Sequence, residues 1–151
     1  MKMQERITKL IKGKRTRRGQ ALTEFALFIT TLFLLIAGMV DFGRAFFYFN
    51  ALRDAAEEGA FYGSVDPADT SAIEQRVRAS SDSPIDMADT SAVDVNVNIV
   101  GSPCAGNTII VTVTYDFLIT TPFVGMLLDS QTFPLSADIS NTILNPACYT
   151  P

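Results

Sequence analysis

The pattern of apolar and polar positions divides the chain into four stretches. Residues 1–18 are polar and strongly basic, and Phe25 to Val40, FALFITTLFLLIAGMV, is apolar without one charge. Asp41 to about Tyr62 is mixed. Arg53, Asp54, Glu57 and Glu58 supply one polar face, and Ala51, Ala55, Gly59 and Gly63 recur every four residues with Ala56 and Ala60 beside them. That spacing predicts a helix with a small-residue stripe, which lets another backbone approach closely. The stripe suits packing against the chain's own sheet; a neighbouring subunit is the alternative. From Ala21 to Tyr62 a single helix would be about 63 Å long.

Beyond this helix the periodicity changes. Val65 to Ser91 is rich in Asp, Ser, Thr, Ala and Pro and reads as surface loop. Within it Ala72–Ala79 is a short helix, with Ser71 as N-cap and Glu74 three residues on. Val93, Val95, Val97 and Ile99 alternate with Asp94, Asn96 and Asn98, the signature of a strand with one wet face. Thr108 to Thr120 is β-branched and aromatic, so it pairs with the first strand as a hairpin across the turn at Gly101–Asn107. Phe133 to Ile143 is a third strand. Between these strands Pro122 and Gly125 break the chain and leave Phe123-Val124 and Met126-Leu127-Leu128 to cover the sheet or to touch a membrane or partner. The expected fold is α+β: a long N-terminal membrane-spanning helix and a small antiparallel β-sheet domain. Its parts are a basic leader over residues 1–19, an anchor and extended helix over 20–64, and an extracytoplasmic β-rich domain over 65–151.

Charge sharpens the membrane reading. Before Gly19 stand eight bases, Lys2, Arg6, Lys9, Lys12, Lys14, Arg15, Arg17 and Arg18, against Glu5; after it stand four arginines against fifteen acids. Alone, the basic run would suit a tail that binds nucleic acid. Placed directly before an apolar stretch it sets topology, with the N-terminus inside and the C-terminal domain outside the cytoplasmic membrane. The strict apolar run spans only about 24 Å, against a hydrocarbon core of about 30 Å. It therefore extends through Ala21 and Leu22 on one side and toward Phe42, Ala45, Phe46, Phe47, Tyr48 and Phe49 on the other. Those aromatics fit the membrane–water interface, where Arg44 could snorkel. A secretory signal removed whole would have the same order of segments, but a clean A-x-A site is missing and Asp41 follows at once.

The junction itself is Gly19-Gln20-Ala21-Leu22-Thr23-Glu24. An acid at the head of a membrane helix is costly without a partner, so Glu24 is a functional candidate. Helix geometry sets Gln20 and Glu24 on one face, one turn apart. This arrangement resembles the type IV prepilin signal. The resemblance implies cutting by prepilin peptidase after Gly19, a new and commonly N-methylated terminus at Gln20, and pairing of Glu24 with that amine on a neighbouring subunit. More narrowly, Gly-Gln-Ala followed by Glu-Phe-Ala, Val-Asp-Phe-Gly-Arg after the apolar run, and Ala-Ala-Glu-Glu-Gly-Ala from Ala55 to Ala60 resemble the TadE-like pseudopilin family of the Flp/Tad pilus system. That resemblance covers Gly19 to Ser64. It implies a minor pilin or pilus-assembly component, whose partners are prepilin peptidase, other pilin or pseudopilin subunits, the assembly machinery and the lipid bilayer, in the inner membrane or in an extracellular pilus. The major pilins of that system are much shorter than this chain.

Other chemistry is sparse. No His occurs, which removes Ser-His-Asp and Cys-His catalysis and the usual zinc sites. Asp66, Asp69, Asp82, Asp86 and Asp89 lack EF-hand spacing and read as solvated acids. No catalytic residue, metal or cofactor is expected, and the acidic balance after Gly19 argues against nucleic acid as a partner. Cys104 and Cys148 are an even pair in an expected oxidising compartment, so a disulfide closing a loop of about 45 residues is the default and two buried thiols the alternative. The rival to the pilin reading is an uncut signal-anchor protein whose outer domain scaffolds or binds a ligand; an enzyme released by signal peptidase is a third.

Overall fold

In the computed structural model, the described residues are 2–122 and 129–148, with side chains from residue 19 onward. The chain forms two compact units, Met1–Val40 and Asp41–Pro151. A single helix, α1 (Lys2–Val65), runs through both. It starts earlier than the apolar pattern implies, because basic residues with straight side chains are good helix formers. The apolar Phe123–Leu128 lies outside the described residues.

In the first unit the apolar part of α1 has no packing partner among the described residues. Leu22, Phe25, Leu27, Phe28, Phe33, Leu35 and Met39 are all exposed. These residues point in every direction around the helix, and no interior among the described residues buries them. Its polar atoms are satisfied locally: Thr23 Oγ1 donates to Gln20 O, Thr30 to Ala26 O at 2.8 Å and Thr31 to Leu27 O at 2.9 Å. A hydroxyl returned to its own helix can sit in hydrocarbon at little cost. The helix is long and apolar enough to cross a membrane.

The second unit packs the remainder of α1, a short helix α2 (Thr70–Arg78) and three strands, β1 (Val93–Val100), β2 (Thr108–Leu118) and β3 (Thr132–Thr142). The strands form an antiparallel meander in the order β1-β2-β3, with Val93 opposite Tyr115 and Val113 opposite Ala137. The α+β architecture expected from the sequence is therefore present. Odd-numbered positions of β2, from Ile109 to Phe117, turn to the core; the even-numbered positions, with Asp94, Asn96, Thr112 and Asp138, form a polar open face. Leu52, Ala55, Ala56 and Ala60 of α1 meet Ile73 and Val77 of α2 and the inner face of the sheet in one core.

The small-residue stripe packs within this chain. A Cβ on Gly59 would lie 2.5 Å from Val77 Cγ2, and one on Gly63 would collide with Ile109 Cδ1. The absent side chains are what let α2 and β2 approach the helix. The cap of α2 differs from expectation. Asp69, not Ser71, is the N-cap: its carboxylate accepts from the Ala72 N–H at 2.9 Å, while Ser71 Oγ donates to it. The helix begins two residues earlier than the polarity pattern indicates, and the acid is the better acceptor for an orphan N–H. Glu74 instead pairs with Arg78 one turn on, at 2.7 Å. These bonds hold the exposed Asp69 carboxyl below the usual carboxylate range, the Ser71 hydroxyl most of all.

The segment after β3 is pinned. Leu144 N–H donates to Ser64 O near the end of α1, Ile143 N–H to Asn107 O, and Ala105 N–H to Pro146 O. Cys104 and Cys148 are joined in a disulfide, with Cα atoms 5.0 Å apart. Gly106, in the β1–β2 turn, has φ +90°, a conformation L side chains rarely adopt.

Candidate functional site

Two places on α1 gather polar groups against an apolar background. The first is the head of the apolar segment. Gly19 is exposed, and nothing lies within 4 Å of where its Cβ would be. Gln20 Nε2 donates to Glu24 Oε1 at 2.9 Å, so the two side chains share a face as their four-residue spacing requires. Both are exposed, and Glu24 is the first acid after the basic run. A carboxylate at this position keeps unused acceptor sites, because one amide donor does not fill it.

The second is Asp41, the residue that follows Val40. It is buried, unusually for an acid, and the structure shows why that is tolerated. Oδ2 accepts three hydrogen bonds from the residues just past β2: Thr120 N–H at 3.0 Å, Thr121 N–H at 2.6 Å and Thr121 Oγ1 at 2.6 Å. Oδ1 faces Arg44 Nη1 at 3.3 Å. Arg44 also donates to Thr120 Oγ1 and lies over the Phe117 ring, 5.2 Å from its centroid. The Tyr48 ring sits 5.3 Å from Phe117 and 5.5 Å from Tyr115, and burial pushes the Tyr115 phenol up. One carboxylate thus ties the exit of β2 to the helix.

The sequence reading did not identify this latch. It took Asp41 as an obstacle to signal-peptidase cleavage and Arg44 as a snorkelling side chain. The guanidinium instead turns to its own sheet. The available signal was an acid and an arginine three residues apart on a helix, which share a face; their partners, 79 and 80 residues away, leave no trace in local pattern.

A shallow depression is lined by Asp54, Glu58, Arg76, Ala79 and Ser80, with Arg76 turned over the Tyr62 ring at 5.2 Å. Among the described residues no group of three or more His, Cys, Asp or Glu side chains could hold a metal. The Cys104–Cys148 disulfide serves the fold by tying the tail to the β1–β2 turn.

Compared with known proteins, residues 19–60 match the model of a family described as TadE-like protein. The match begins at Gly19 and ends within α1, so the similarity is confined to that helix, while α2 and the sheet fall outside the matched segment. No curated protein and no solved structure matches the chain significantly.

Proposed function

We propose that this chain, TadE-like over residues 19–60, is a minor pilin or pseudopilin of a Tad-type pilus. It acts as a structural or assembly subunit and not as an enzyme. The precursor inserts with its basic leader inside the cell and the second unit outside. Prepilin peptidase cuts after Gly19, and Gln20 becomes the new, methylated N-terminus. Its ammonium then pairs with Glu24 of an adjacent subunit. In a low-dielectric setting such a pair is worth far more in register than out of it, because a misaligned helix leaves a buried charge alone.

One observation carries this reading: a TadE-like segment begins at Gly19, and its first acid stands one turn from Gln20 on an apolar helix that none of the described residues buries. The Glu24 carboxylate is within hydrogen-bond reach of the side chain whose backbone nitrogen cleavage would release. Intact-mass and N-terminal analysis of the membrane-extracted protein tests it. A start at Gln20 is expected, with one added methyl. An intact Met1 would favour an uncut signal anchor with a scaffolding or ligand-binding domain, and a start near Met39 a secreted protein. In cells, Glu24→Val is expected to abolish assembly while leaving the protein in the membrane.

A further inference from the structure

We propose that the exposed stripe of α1 from Asp54 to Val65 docks a cationic amphipathic helix of another protein. Every residue of this surface belongs to the second unit, so it exists whether or not the leader is cut.

Asp54, Glu58, Phe61 and Val65 follow one another at intervals of four, three and four residues, which sets them on one side of the helix. All four are exposed, Phe61 at 64% and Val65 at 50%. The opposite side, with Leu52 and Ala56, lies in the core. Leu144, whose N–H donates to Ser64 O, is 69% exposed and adds a third large apolar side chain at the end of α1. The stripe therefore has an acidic end and an apolar end, about 10 Å apart along the helix axis.

The acidic end is built of acceptors. Asp54 and Glu58 line a depression of about 360 Å³ together with Arg76, Ala79 and Ser80. Arg76 is drawn over the Tyr62 ring, and among the described residues neither carboxylate forms an ion pair. Ser80 Oγ donates its proton to Val77 O at 2.7 Å, which leaves its oxygen as an acceptor. Two carboxylates and a hydroxyl oxygen suit an ammonium or guanidinium group.

Charge also decides what covers the apolar end. From Asp41 onward the chain carries fourteen acids and four arginines. Of those arginines Arg44 faces Asp41, Arg78 pairs with Glu74 and Arg76 lies over Tyr62. A second copy would bring Arg53 and a large excess of acids. Like charges within a Debye length of about 10 Å repel, and an anionic lipid surface or nucleic acid meets the same barrier. A helix with Lys or Arg two turns from an apolar residue satisfies both ends of the stripe at once. Its base enters the depression, and its apolar residue covers Phe61 and Val65.

In cells making the full-length chain, Phe61 is replaced by the photoreactive p-benzoylphenylalanine, and light joins it to whatever covers that position. Mass spectrometry then reads the joined peptide. The expected product is a peptide of another protein with Lys or Arg about seven residues from a large apolar side chain. The same probe at Asn96, on the open face of the sheet, is expected not to join it. Asp54→Asn with Glu58→Gln is expected to lower the yield about fivefold. Asp94→Asn with Asp138→Asn, an equal charge change elsewhere, is expected to leave it unchanged. Non-reducing electrophoresis reports the Cys104–Cys148 bond, and with it the fold, in every variant. A synthetic peptide of the joined segment is expected to bind the purified full-length chain, more weakly as salt rises. Joining to a second copy, joining to lipid, no joining, a peptide that fails to bind, or a yield indifferent to the Asp54 and Glu58 variant each overturns the docking. The N-terminus is read in the same samples: an intact Met1 with the cross-link present refutes cleavage and leaves the docking standing.

Discussion

The two halves of α1 are the same secondary structure with opposite ways of hiding from water. Before Asp41 the helix carries Leu, Phe, Ile and Met on every side, and none of the described residues covers them. After it the same helix carries Ala and Gly on one face and charges on the other, and the small face is buried under α2 and the sheet. Side-chain size decides the difference. Large residues all round need a partner as wide as the helix itself, which a bilayer or a bundle of subunits supplies. A narrow stripe of small residues is complementary to one flat surface, and the chain's own sheet provides it.

Removing covalent restraint from the second half should separate the two most sharply. The disulfide closes a long loop, and Cys104→Ser with Cys148→Ser should cost about 4 kcal/mol in the chain-entropy account. In detergent micelles, denaturant titration followed by circular dichroism should show the sheet signal lost earlier while the anchor keeps its helicity. Loss of both signals together would mean that the anchor depends on the domain.

The glycines offer a matched pair. Gly63→Leu drives a side chain into Ile109 and Ile73 and should destabilise the second unit by about 3 kcal/mol. Gly38→Leu meets nothing within 4 Å and should leave the unfolding midpoint unchanged. Equal effects would end the claim that only one half packs internally.

The latch should register more weakly. Asp41→Ala removes the acceptor for the Thr120 and Thr121 amides, a loss of about 1–2 kcal/mol. Hydrogen exchange should quicken at those two amides before any change at Val111 or Val113.

Acid should have the smallest effect, confined to the second unit. The Asp89 carboxyl is held low chiefly by the Ser91 hydroxyl and then the Ser91 N–H, as Asp69 is by Ser71. A depressed folded value stabilises above the ordinary carboxylate value of 3.8 and is lost as pH falls below it through the folded value. The melting temperature of the domain should therefore be flat from neutrality to about pH 5 and decline below about pH 4, with Asp69→Asn and Asp89→Asn each reducing the decline.

Much of this molecule is readable without coordinates. A charge-free run after a basic segment, an alternation of two in the strands, and a Gly/Ala repeat of four are local patterns, and local backbone geometry obeys them. Gln20 and Glu24 meet because their spacing leaves them little choice on a helix. What lay beyond reach involves residues far apart in sequence. That the Gly/Ala stripe receives α2 and β2 depended on which surface fits it best. The Asp69 cap depended on where the helix starts, which a polar loop leaves ambiguous. The grip of Asp41 on Thr120 and Thr121 depended on the register that brings the end of β2 beside the helix. Composition and periodicity determined the helix, the strands and the direction of the charge; only the tertiary structure decided which end of the sheet meets Asp41, because contacts across 80 residues are set by packing of the whole and not by any neighbour in the chain.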